Sequence, residues 1–299
     1  MEKQNMRWFW VLLFLSLGGD DGSKDKGEDK LKNEMVRISV ELGRPVEILL
    51  RNSPLKFSKD CLTAVDMCWY EITRSGKNQS LINVSISQPQ GITLIEKAVG
   101  LNVVVDGAET NNIEKLVVTL RGLPDNSAHE ANRKIVYELI SNLKSAGWTK
   151  YYFPSDPRIV SAELNKFNWS DSVFGAMPLS HPLFDVNYEM SLSEWLAVDG
   201  FYNWYIYSGD YVAHVKVQRR NAVADPTQAG VYLIKLEVMS FDKFWRADFE
   251  EALRPNWKKL FPARLQQLLN KRFSTEARVK AAGVSIDENY QSPKFEKVN

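Results

Sequence analysis

Phe201-Tyr202-Asn203-Trp204-Tyr205-Ile206-Tyr207-Ser208-Gly209-Asp210-Tyr211-Val212-Ala213-His214-Val215-Lys216-Val217 decides the fold class. Tyr202, Trp204 and Ile206 recur at every second position. So do Tyr211, Ala213, Val215 and Val217. A period of two with one apolar face is the pattern of a half-buried strand. Ser208-Gly209-Asp210 supplies the turn between the two strands. Tyr232, Ile234, Leu236 and Val238 continue the alternation as a third strand. Beyond it the period lengthens. A helix is predicted from Asp242 to about Leu253, stopped before Pro255. A second runs from Pro262 to about Phe273, where Leu265, Leu268, Leu269 and Phe273 share a face and Pro262 suits the first helical position.

Read outward from there, the first half of the chain shows the same order. Val36, Ile38, Val40 and Leu42 alternate with polar residues, Gly43-Arg44-Pro45 breaks the run, and Val46, Ile48 and Leu50 resume it. Ile82, Val84 and Ile86 form another strand, Leu116, Val118 and Leu120 a further one, and Leu101 to Val105 a more buried one. Ala128, Ala131, Ile135, Val136, Leu139, Ile140 and Leu143 then follow helical spacing. Ser127 and Glu130 have the spacing of a capping box, and Gly147 followed by Trp148 that of a left-handed C-terminal cap closing onto Leu143. Strands then helix, twice, predict an α+β fold of two lobes, residues 36–155 and 156–299. Each lobe is a mainly antiparallel sheet followed by packing helices, with Phe153 to Pro182 as the join.

Composition sets the outer bounds. The chain has 299 residues, 44% of them hydrophobic and 25% charged, with net charge +1. The apolar share suffices for a core, which excludes whole-chain disorder. Near-zero net charge argues against a protein built to hold nucleic acid. No apolar run reaches 18 residues, the length an ordinary spanning helix needs.

The first residues read as an address. Lys3 and Arg7 precede the apolar run Trp8 to Leu15, and Ser16, Leu17, Gly18 and Gly19 make a small-residue exit. That is the layout of a secretory signal, predicted over 1–19. Leu15-Ser16-Leu17-Gly18 resembles the end of a bacterial lipoprotein signal, but Gly18, Gly19 and Asp20 stand where the lipid-accepting cysteine belongs. From Asp20 to Glu34, ten of fifteen residues are charged, so 20–35 is expected to be a solvated tether. The chain is therefore expected in the periplasm, either free after cleavage or tethered to the membrane by its N-terminus.

Cys61 and Cys68 are seven apart. On a straight helix their Cα atoms would be about 10 Å apart, and along one strand more than about 20 Å. Bridging needs less than about 7 Å, so it requires Leu62 to Met67 to fold back. An oxidising compartment favours that bridge; the alternative is two small buried apolar side chains.

Candidate chemistry is sparse. His129 is expected in the solvated first turn of its helix, His181 in a loop before Pro182, and His214 on the polar face of its strand. None has metal-binding spacing. There is no nucleophile elbow or phosphate-binding glycine loop, and Glu250 and Glu251, about 100° apart around a helix, cannot share a proton. The Asn-x-Ser sites at Asn78, Asn83 and Asn168 carry no weight in bacterial export. No catalytic set, metal or cofactor is expected. Two features point to binding. Phe201, Tyr205 and Tyr207 occupy the non-core positions of their strand, where exposed aromatics mark protein contacts unless the sheet is covered on both faces. Residues 254–280 carry Arg254, Lys258, Lys259, Arg264, Lys271, Arg272, Arg278 and Lys280 against Glu276, with Trp257 and Phe261 among them. The candidate partner-binding residues are thus Phe201, Tyr205, Tyr207, Trp257, Lys258, Lys259 and Arg264.

Gly147-Trp148-Thr149-Lys150-Tyr151-Tyr152-Phe153-Pro154-Ser155-Asp156-Pro157-Arg158, after an amphipathic helix, resembles a stretch of bacterial exported immunity proteins that accompany type VI secretion phospholipase effectors. The resemblance covers about a dozen residues; beyond them only the plan is similar, with signal, charged tether and α+β body. It implies a protein without chemistry of its own that binds an incoming secreted lipase or phospholipase toxin and blocks its active site. Two other classes fit the same features: an envelope structural or assembly lipoprotein, and an exported hydrolase whose catalytic residues are scattered along the chain.

Overall fold

Strands from the two halves of the chain hydrogen-bond to each other where Lys115–Leu120 runs antiparallel to Ala229–Ser240, pairing Leu116 with Val238, Val118 with Leu236 and Leu120 with Ile234. The computed structural model describes residues 36–74, 80–88, 91–107, 110–166 and 179–296. The predicted signal and tether, Asn78 and Asn168 lie outside them. In chain order the strands are β1 (Val36–Glu41), β2 (Ser58–Leu62), β3 (Met67–Thr73), β4 (Ile82–Gln88), β5 (Gly91–Asp106), β6 (Lys115–Leu120), β7 (Ser127–Ala128), β8 (Thr149–Lys150), β9 (Phe201–Ser208), β10 (Tyr211–Asn221) and β11 (Ala229–Ser240). The α-helices are α1 (Val46–Asn52), α2 (His129–Ser145), α3 (Leu192–Ala197), α4 (Phe241–Arg246) and α5 (Trp257–Ala281).

The fold is α+β, but its strands do not separate into one sheet per lobe. They form a single sheet in the order β1-β4-β5-β6-β11-β10-β9-β8, with β3 and β2 added beside β5 and β7 beside β11. The described residues form one compact unit. The reason is a shared apolar face: Leu116 and Val118 of one half and Leu236 and Val238 of the other are fully buried in the same core, and splitting the sheet there would expose them. Among the described strands every pairing is antiparallel except β1 with β4.

Helices lie on both faces. The first face packs against α1, α2 and α3 through Val46, Leu49, Val136, Leu139, Leu143 and Trp195. At one end of the second face, α4 and α5 build another core from Phe241, Trp245, Trp257, Phe261 and Leu265 around Tyr151 and Val212. Among the described residues no helix is long and apolar enough to cross a membrane.

Several local expectations change. Val46 to Leu50 is helix α1 rather than a resumed strand: Val46 and Leu49, three apart, are buried, while Ile48 is 37% exposed. Ser127 and Glu130 make no capping box. Ser127 and Ala128 are drawn into β7 against Gly230 and Ala229. The His129 N–H donates instead to the Gln228 carbonyl (2.8 Å), so the turn that leads into β11 supplies the partner. The other end of α2 matches its reading. Gly147 has φ 88°, its N–H donates to the Lys144 carbonyl, and the Trp148 N–H donates to that of Leu143, the bonding of a Schellman cap. Trp148 is buried and its Nε1–H donates to Thr93 Oγ1 (2.8 Å).

The helix expected over 242–253 ends at Arg246, and a 3₁₀ turn over Glu251–Asn256 carries Pro255 inside it. α5 starts at Trp257, five residues before Pro262, and runs to Ala281. Trp257 and Phe261, four apart, anchor that first turn in the second core. Pro262 forfeits only the bond to the Lys258 carbonyl, at an exposed residue. Phe273, expected on the buried stripe, is exposed. Cys61 and Cys68 face each other directly across the β2–β3 hairpin, Cα atoms 4.1 Å apart, and form a disulfide. The 3₁₀ turn Thr63–Val65, with Asp66 in the left-handed region, performs the fold-back.

Candidate partner-binding surface

Alternation along the strands fixes which side chains share the sheet's second face. Because Tyr202, Trp204 and Ile206 point into the first core, Phe201, Asn203, Tyr205 and Tyr207 point away from it. The registers then set rows across the sheet: Phe201 beside Gln218 and Leu233; Asn203 beside Lys216, Lys235 and Thr119; Tyr205 beside His214, Glu237 and Val117; Tyr207 beside Val212, Met239 and Lys115.

The last two rows begin under cover. Tyr207 packs on Tyr151, Phe241 and Tyr290, and its hydroxyl donates to the Gln291 carbonyl (2.6 Å). Tyr205 stacks on His214, ring centroids 3.9 Å apart, and meets Phe153 edge-on. Two residues expected to present free aromatic surface are therefore half-buried, because α4, α5 and the 290–296 segment cover this end. The first row is open. Phe201 is 62% exposed, Leu233 41% and Val231 38%, and Phe201 and Leu233 sit two strands apart, about 10 Å. Grouped exposed apolar residues rimmed by polar ones are the usual mark of a contact site, unlike single scattered ones.

Between the two ends lies a charged band. Lys216 Nζ is 3.0 Å from Glu237 Oε1 and Lys115 Nζ 3.3 Å from Oε2. Burial pushes the Glu237 carboxyl up, but the two lysines outweigh it and hold it below its usual range. His214 is pushed down to about 3 by burial and by the Lys216 cation. It is neutral at physiological pH, with Nε2 2.9 Å from Asn203 Oδ1.

The basic segment is not one patch. Trp257, only 6% exposed, lies in the second core beneath Phe295 and Phe261, so it offers no contact surface. Lys258 pairs with Asp242 (2.6 Å) and Arg264 with Asp248 (2.9 Å), both acids from the preceding segment. Lys259 is exposed on the same helix. Arg272 is buried and donates to the carbonyls of Tyr152, Phe153 and Asp156. Of the seven candidates, then, Phe201 stands at the open end, Lys258, Lys259 and Arg264 on α5, and the other three within or against the second core.

The other two histidines also have partners within the fold. His129, expected in solvent, is buried, with Nδ1 2.7 Å from the Tyr232 hydroxyl and Nε2 3.1 Å from the Pro226 carbonyl. His181 is buried, its Nδ1 accepts the Leu183 N–H, and it is pushed down to about 4 by burial and by Lys150. Among the described residues no cluster of His, Cys, Asp or Glu is arranged to hold a metal ion. Glu296 was not among the expected site residues; it is buried and accepts a hydrogen bond from the Tyr151 hydroxyl. Burial pushes its carboxyl up to about 7 even though Tyr151 and Arg272 pull the other way. Neighbouring Phe295 stacks on Phe241 and Trp257, and the hydrophobic placement of that one residue was the available clue.

Comparison with protein-family models, with curated proteins and with solved structures returns no match for this chain.

Proposed function

We propose that this chain is a periplasmic immunity protein that binds a type VI secretion lipase or phospholipase toxin and blocks access to its active site. The observation that carries the reading is the open end of the sheet, where Phe201, Val231 and Leu233 stand exposed beside Gln218, Lys216 and Lys235. A rigid sheet face of this kind supplies contact area at small conformational cost. An enzyme that draws lipid from a membrane has an apolar mouth, the chemistry such a face complements. The Cys61–Cys68 bridge accords with an oxidising compartment, as does the signal-like start of the sequence. The test is protection. Bacteria producing the full chain are challenged with a type VI secretion lipase directed to the periplasm. Survival is expected with the unaltered chain and death with a folded Phe201→Asp/Leu233→Asp variant. Death in both cases, with the chain present and folded, would defeat the proposal.

A further inference from the structure

β1 ends the sheet: among the described residues only β4 pairs with it, so one of its edges carries backbone donors and acceptors that no described strand meets. Such an edge is a template for another strand. Its two faces differ sharply. Ile38 and Val40 are fully buried, whereas Arg37, Ser39 and Glu41 are exposed. A cavity of about 370 Å³ lies against the strand, lined in part by Arg37, Ser39, Glu41, Arg44, Ile48 and Asn52. β2 is also an edge, but four of its five residues are exposed, so no buried face would fix a register there.

We propose that β1 pairs with β1 of a second copy of this chain, antiparallel about a two-fold axis at Ser39, so that two sheets run on as one. The charge pattern of the strand selects this partner and this register. A slip by one residue would put Ile38 and Val40 opposite the polar face and is excluded by their burial. Of the registers left, centring on Ile38 sets Arg37 against Ser39, and centring on Val40 sets Ser39 against Glu41. Centring on Ser39 alone sets Arg37 of each copy against Glu41 of the other, with Ile38 against Val40 beneath. Directly opposed residues in an antiparallel pair share a face and interact, favourably for opposite charges. The isologous geometry makes each such pair twice. Glu41 receives Arg44 on Oε1 at 2.9 Å, both side chains being more than half exposed, and the same carboxylate would take the second Arg37 across the pair. Since Ile38 and Val40 are buried already, backbone hydrogen bonds and the charge pairs carry the association, which is therefore weak and sensitive to salt. This inference is independent of what the open end of the sheet binds.

Ser39→Cys in the full chain tests the register. Cys61 and Cys68 are bridged, so the introduced thiol is the one available for cross-linking. A covalent dimer is expected under mild oxidation or with a short bis-maleimide. Light scattering tests the charge pairing. Arg37→Glu and Glu41→Arg should each weaken the dimer about tenfold or more, the double reversal should restore it, and added salt should weaken the unaltered dimer. A chain that stays monomeric at every concentration, or a double reversal as weak as the single ones, overturns the proposal. So does protection of the β1 amides from exchange by another protein while the chain remains monomeric. Each variant sits on an exposed side chain, and its circular dichroism should match that of the unaltered chain.

Discussion

At one end of the sheet's second face Tyr205, Tyr207, Val212 and Met239 lie against α4, α5 and the 290–296 segment; at the other, Phe201, Val231 and Leu233 stand in solvent. The two ends come from the same strands and the same alternation. What separates them is the length of chain that follows β11 and where it packs. Phe241, Trp245, Trp257, Phe261 and Phe295 form a stacked aromatic cluster over one end only. The charged band of Lys115, Lys216 and Glu237 marks the border. Apolar content alone does not tell a core from a docking face; the presence of a covering element does.

The contrast can be broken most forcefully at the covered end. Trp257→Ala should cost about 3–5 kcal/mol of stability, read by denaturant unfolding; a loss under about 1 kcal/mol would mean that α5 does not hold a core there. Away from both ends, reducing or removing the Cys61–Cys68 bridge should cost about 2–3 kcal/mol through loop entropy. It should leave the near-ultraviolet circular dichroism of the aromatic cluster at the covered end unchanged, which separates hairpin stability from either end.

Glu296 provides a pH handle on the covered end. Its carboxyl is pushed up to about 7 in the fold and returns to its ordinary value of 4.5 when unfolded. The folded state therefore holds the proton more tightly, and this stabilisation is present in full below pH 4.5 and lost as pH rises through about 7. The groups facing the carboxyl include Tyr151, Trp245, Arg272, Tyr290 and Tyr207. Glu296→Gln, which keeps an acceptor for the Tyr151 hydroxyl, should gain roughly 1–3 kcal/mol over the unaltered chain at pH 8 and nothing at pH 4.5. Parallel pH profiles for the two proteins would contradict this.

The smallest effect on stability belongs to the open end. Phe201→Ala should shift unfolding by no more than about 0.5 kcal/mol while weakening capture of the partner, seen by calorimetry with the purified lipase. Equal losses of stability at Phe201 and Trp257 would erase the distinction between the two ends.

Period-two strands were legible because a sheet that buries one face repeats every second residue whatever lies around it. β1, β4, β6, β9, β10 and β11 lie where the alternation put them. The cap at Gly147 was legible for the same reason: it depends on neighbours in the chain. Val46 to Leu50 misled because a seven-residue helix and a short strand can carry the same few apolar residues. Ser127 misled because β11 competes for its backbone. His129 and Arg272 gave no local sign of burial, since their partners Tyr232 and Tyr152 lie 103 and 120 residues away.

Spacing along the chain sets the α+β class, most of the strands and the α2 helix. That both halves share one sheet, that Tyr205, Tyr207 and Trp257 lie within or against a second core, and that Phe201 is exposed emerge only once the chain is folded. Strand order and face coverage depend on which distant apolar surfaces meet, and a periodicity repeated in every strand does not say which strand it will pair with.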